Sequence, residues 1–168
     1  MSEIEETNDN GVNVDSINTL DFNVENEYKP DPLIPKSTYH GSVFGVKYDS
    51  AGPAIVWDVV LHDNGGLMND NSTQIDGQHV FFRNWLPKPG DESVPTKSGR
   101  SNKRDSKIKM LGDFATAMGI DMNTPTIIAQ SLADQIWIGM EVDVDVVIDE
   151  YQGSFRNSVN KMKKSSTF

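Results

Sequence analysis

The chain has 168 residues and a mass of 18.6 kDa, the length of one domain. It is 36% hydrophobic, carries a formal net charge of −10 and contains no cysteine. Disulfides, zinc ribbons and thiol catalysis are therefore excluded, and a reducing, cytoplasmic compartment is expected. No apolar run approaches the ~18–20 residues of a membrane span, and the acidic N-terminus is the opposite of a signal peptide. A soluble protein with no membrane partner is the expectation.

Residues 1–32 form an acidic segment rich in Asn, Asp and Glu. Nine acids face one base in positions 1–31, with neither helical nor alternating periodicity, which predicts a flexible N-terminal tail. Pro30, Pro32 and Pro35 give an extended lead-in to a domain spanning 33–160. Residues 39–48 read as a strand bent at Gly41 and Gly45. Residues 54–62 place Ile55, Trp57, Val59 and Leu61 on one face. A polar, glycine-rich loop over 64–77 leads to a third strand, 78–86. A long Pro-, Gly- and Lys-rich loop over 87–105 is free to wrap a partner.

Residues 106–119 predict a helix with Ile108, Leu111, Phe114, Ala115 and Met118 inward and Gly119 as its stop. Thr124 as N-cap and Pro125 at the first position predict a second, short helix. Alternation over 136–149 predicts a strand with Ile136, Ile138, Met140, Val142, Val144, Val146 and Ile148 inward. A turn at Tyr151–Gly153 precedes a last strand, 154–160, and residues 161–168 read as a basic C-terminal tail. The fold class expected is mainly β: a five-stranded, OB-like Greek-key barrel with a helix between strands 3 and 4 and a short extra helix.

The third strand carries the clearest chemistry. Val80, Phe82, Asn84 and Leu86 share one face, and His79, Phe81, Arg83 and Trp85 share the other. An outward face of aromatic rings and cations suits stacked bases and phosphates. The alternative is that Phe81 and Trp85 pack beneath the 87–105 loop. From Arg83 to Lys109 eight bases meet three acids; Lys88, Lys97, Arg100, Lys103, Arg104, Lys107 and Lys109 are candidate phosphate contacts. Lys47 with Tyr48, and Arg156 on the last strand, extend the candidate set. Tyr39, Phe44 and Trp57 are weaker candidates, and Trp57 shares a core face.

Enzyme signatures are poor, and no enzyme activity, cofactor or metal is expected. His40, His62 and His79 lack metal-ligand spacing. Glu141, Asp143 and Asp145 alternate on one strand face, which reads either as a divalent-cation site or as a solvent-facing acidic edge that discourages strand pairing. No Gly-rich phosphate loop, nucleophile elbow or triad spacing is present.

With the strand order, the segments QHVFFRNWLP (78–87) and GSFRNSVNKM (153–162), and an Ile-Trp-Ile-Gly lead-in at 136–139, residues 33–162 resemble the OB-fold single-stranded DNA-binding proteins of tailed phages. The resemblance implies sequence-tolerant coating of single strands in phage DNA replication or recombination, in the host cytoplasm, alongside replication or recombination proteins. It assigns contacts most clearly to Phe81, Arg83 and Trp85. One departure concerns the C-terminus. Bacterial single-strand-binding proteins end in an acidic tail with a terminal Phe, whereas Phe168 here follows the basic KMKKSST. The acidic segment lies at the other end, where it could compete with single strands for the basic block. Single-stranded DNA is thus the expected partner, with RNA left open. A protein-binding adaptor or virion component, and a metal-dependent nuclease using the acidic strand, are the alternatives.

Overall fold

The structure, a computed structural model, describes residues 14–166. The chain divides into Met1–Asp31 and Pro32–Phe168. In the first unit a 3-10 turn covers Asp15–Thr19 and a one-turn helix, α1, covers Val24–Glu27. The Asn23 side chain caps α1 by accepting from the Asn26 N–H, and Glu25 and Glu27 complement its N-terminal dipole. Local capping thus supplies structure where hydrophobic periodicity predicts none. Residues 1–13 of the expected tail, and Phe168, lie outside the described residues.

The second unit is mainly β. Its strands are β1 (Ser37–Asp49), β2 (Ala54–Leu61), β3 (His79–Trp85), β4 (Glu141–Tyr151) and β5 (Ser154–Lys164). They form one antiparallel sheet in the order β3-β2-β1-β4-β5. The helices α2 (Lys103–Met118) and α3 (Pro125–Asp134) lie between β3 and β4 in the chain. The sheet is open, with β3 and β5 as its edges, and α2 packs against both. No helix among the described residues is long and apolar enough to cross a membrane.

β1 is shared by both halves of the sheet because it is long and bends. Gly41 allows the bend: a Cβ there would lie 2.7 Å from both Val59 Cγ1 and the Val60 carbonyl. A bulge between Val43 and Gly45 then shifts the register and turns Phe44 outward.

The core sits on the inner face. Trp57 is fully buried, stacks on Trp137 with ring centres 5.3 Å apart, and touches the Phe114 ring of α2 at the same distance. Its indole Nε1 donates to Asn84 Oδ1 at 2.6 Å, which satisfies the one polar atom the Trp57 ring brings into the core. Asn84→Ala is expected to destabilise the fold by about 1–3 kcal/mol, because it strands that donor. Urea unfolding of the variant checks the value. Tyr39 is likewise buried, and its hydroxyl donates to the Pro35 carbonyl at 2.6 Å. Asn157 clamps the lead-in segment: its Oδ1 accepts from Ile34 N–H and its Nδ2 donates to the Ile34 carbonyl, both at 2.8 Å.

The structure differs from the sequence expectations in five places. Residues 136–140 form a turn rather than the start of a strand, held by Gly139 N–H donating to Val43 and Val43 N–H to Met140. Gln135 and Gly139 adopt positive φ there, so the alternation breaks: Trp137 goes inward while Ile136 and Ile138 are exposed. The last strand runs on to Lys164, pairing Lys161, Lys163 and Lys164 with Asp145, Asp143 and Val142, so these lysines belong to β5 and not to a tail. β4 is an interior strand, not an acidic edge. The 87–105 loop is folded, with a 3-10 turn at Asp91–Ser93 and a tight Pro95–Asn102 bridge. On α2, Ile108 is exposed and Lys107 buried, the reverse of the periodicity reading.

Candidate nucleic-acid interface

β3 alternates as its sequence dictates. Val80 and Asn84 are buried, Phe82 is half-buried, and His79, Phe81, Arg83 and Trp85 point out. Phe81 is 57% and Trp85 49% exposed, so neither ring packs beneath the following loop. The Arg83 guanidinium lies 5.1 Å from the centre of the Trp85 ring and donates to Asp49 Oδ2 at 2.7 Å. Arg83 thereby holds the Asp49 carboxyl below its usual range, helped by the Ala51 N–H. The exposed Phe44 ring meets His79 edge-on at 5.0 Å, and His79 Nδ1 is 2.6 Å from Asp58 Oδ1. Strand register places Lys47 opposite Val56, itself opposite Arg83, so Lys47 joins this outward face. Tyr48, one residue on, has the opposite parity and does not.

A groove of about 690 Å³ adjoins β3, between that strand, the 88–97 segment and α2. Arg83, Trp85, Lys88, Lys97, Lys103 and Lys107 line it together with Phe82, Val94, Met110 and Phe114. Five of the predicted cations and one predicted ring are thus brought together, and no carboxylate is among the lining residues. A cleft with an apolar floor and cationic walls accommodates a flat, apolar-faced group that carries negative charge.

Lys107 has a second, internal role. Its Nζ donates to the buried Asp91 carboxylate at 2.7 Å, and the Lys88 N–H donates to the same oxygen at 2.9 Å. These contacts fix the 87–91 segment onto α2. Lys107 foremost, and then the Lys88 amide, hold the Asp91 carboxyl below its usual range. A depressed acid stabilises the fold above the ordinary carboxylate pKa, and that stabilisation is lost as pH falls through the lower folded value. Wild type should therefore lose melting temperature below about pH 4. Lys107→Met, which leaves a lone buried carboxylate, should be destabilised at pH 7 and approach wild type as acid neutralises Asp91. Melting temperatures of both proteins between pH 3 and pH 7 (roughly the window that brackets a carboxylate) check this.

The remaining candidates lie elsewhere. Lys109 pairs with Asp113 one turn along α2 at 2.6 Å, and Arg104 lies 3.5 Å from Asp105. Arg100 sits in the Thr96–Ser101 turn. Arg156 covers the exposed Tyr151 ring at 4.9 Å, at the β4–β5 hairpin, a second cation–aromatic pair separate from the groove.

Phe44, only a weaker candidate in the sequence, joins the outward face because the bulge brings it beside His79. Sequence reasoning missed a cluster of His40, His62 and Glu141. These residues come together by strand pairing across 101 and 79 positions of chain, which no local spacing can reveal. No protein-family model and no curated protein matches the chain.

Proposed function

We propose that this chain is an OB-like single-stranded DNA-binding protein, of the kind tailed phages use in replication or recombination. It binds by base stacking and phosphate neutralisation and carries out no reaction. The observation that carries the reading is the exposed Phe81–Arg83–Trp85 row bordering a groove walled by cations and free of carboxylates. Such a row is costly to expose without a partner, and each ring offers a face that any base can stack on. The strand order supports a Greek-key barrel: β1 pairs with both β2 and β4, and the edges β3 and β5 lie side by side with α2 against them. OB-folds bind strands across the face of their second and third strands and at the loops after the first and fourth. Here Trp85 lies against Gly52 of the β1–β2 turn, and Arg156 with Tyr151 marks the β4–β5 hairpin.

Quenching of tryptophan fluorescence by oligo-dT tests the reading, with a duplex of equal length as control. Saturable quenching by oligo-dT, with the duplex much weaker and the strand recovered intact after incubation with magnesium, is the expected result. Absence of quenching, or preference for the duplex, would overturn it.

A further inference from the structure

Two imidazoles from distant parts of the chain converge on one carboxylate oxygen. His40 Nε2 lies 2.8 Å and His62 Nε2 2.7 Å from the same Glu141 Oε2. The rings meet edge to face with centroids 4.6 Å apart. His40 comes from β1, His62 directly follows β2, and Glu141 opens β4, so the ladders of the sheet hold the three in place. The other nitrogen of each ring also faces a carboxylate: His40 Nδ1 is 3.2 Å from Asp143 Oδ1, and His62 Nδ1 is 2.7 Å from Asp63 Oδ2. Ser42 Oγ donates to Glu141 Oε1 at 3.0 Å and lies 2.7 Å from His62 Nε2.

The donor set and its outer partners match those that metal centres use. Imidazoles that bind a metal through one nitrogen donate the other N–H to a carboxylate, which fixes the tautomer and the ring plane. A neutral imidazole has only one N–H, while each of these rings faces carboxylate oxygen from both nitrogens. A cation between the two Nε2 atoms and Glu141 supplies positive charge where the second proton would otherwise be needed. The three ligand atoms lie within 4.8 Å of one another. Tetrahedral zinc, with bonds of about 2.0–2.2 Å, spaces its ligand atoms roughly 3.3 Å apart, so the Nε2–Oε2 gaps need open by only about 0.5 Å. The side chains are partly accessible, so a cation and a water have a path in. Two nitrogens and one oxygen favour zinc over magnesium or calcium, which prefer oxygen-only sets.

We propose that His40, His62 and Glu141 bind one Zn²⁺ per chain, with Asp143 and Asp63 orienting the imidazoles and water as fourth ligand beside Ser42. The site ties β1 and β4 to the end of β2 on the outward face of the sheet. It is independent of the groove at β3.

The test uses the full, tag-free chain stripped of metal. Zn²⁺ is titrated against a fluorescent competing chelator, and Co²⁺ is used as a visible-absorption probe. One equivalent of Zn²⁺ should bind, Co²⁺ should give the intense visible band of a tetrahedral site, and Zn²⁺ should displace it. Asp63→Asn, an exposed change outside the ligand set, should weaken Zn²⁺ about 10–100-fold. The His40→Gln/His62→Gln double variant should lose the stoichiometric site, with oligo-dT binding retained. Failure of wild type to bind one equivalent would overturn the proposal. So would equal Zn²⁺ binding by the double variant, because the acids elsewhere in the chain would then be the ligands.

Discussion

Replacing both Phe81 and Trp85 by alanine is expected to weaken oligo-dT binding by roughly 2–6 kcal/mol, at about 1–3 kcal/mol for each stacked base. The two positions are four residues apart on one strand, about 13 Å at ~3.3 Å per residue, far enough for their effects to add. Trp85→Ala also removes the ring on which the Arg83 guanidinium rests, so the larger single effect should fall there. Neither ring is part of the core, and the double variant should therefore unfold within about 0.5 kcal/mol per site of wild type. Because Trp85 is itself a fluorophore, anisotropy of a labelled oligonucleotide is the appropriate measurement. Unfolding of the variants would show that the rings support the fold, and unchanged affinity would show that the strand does not stack on β3.

Trp57→Ala is expected to cost about 3–5 kcal/mol of folding stability. The substitution removes a fully buried ring, leaves Trp137 and Phe114 facing a cavity, and strands the Asn84 amide that Trp57 now satisfies. The urea midpoint should fall sharply. The contrast with Trp85 is informative: two tryptophans on neighbouring strands, one inward and one outward, should separate stability from binding.

Much of this arrangement is legible in the residues. Alternation on β2 and β3 is strict, and one parity of β3 is apolar or amide while the other is aromatic or cationic, so the direction of each side chain follows from the period of two. Thr124-Pro125 and Gly119 mark helix ends because capping is local chemistry. What is not legible depends on contacts between distant segments. Residues 136–140 keep the apolar period of a strand, yet a left-handed Gln135 and Gly139 turn the chain and bury Trp137. Lys107 reads as one more surface cation, and only Asp91, sixteen residues earlier, shows that it is buried and paired. The long loop reads as open because Gly, Pro and Ser suit an open loop equally well, whereas the Pro95–Asn102 bridge and Asp91 fold it against α2. His40, His62 and Glu141 share no local pattern; strand register alone brings them together.

The central claim is that the cation-walled groove beside β3 neutralises the phosphates of a single strand. The salt dependence of oligo-dT affinity, measured for wild type and for the Lys88→Ala/Lys97→Ala/Lys103→Ala variant, tests it most directly. Each phosphate contact contributes about 0.7 to the log–log slope, so three to six contacts correspond to a slope of about −2 to −4 for wild type. Removing three groove lysines should make that slope shallower by about 2 and weaken binding most at low salt. A wild-type affinity that does not change with salt, or an identical slope in the triple variant, would contradict the groove as the path of the strand.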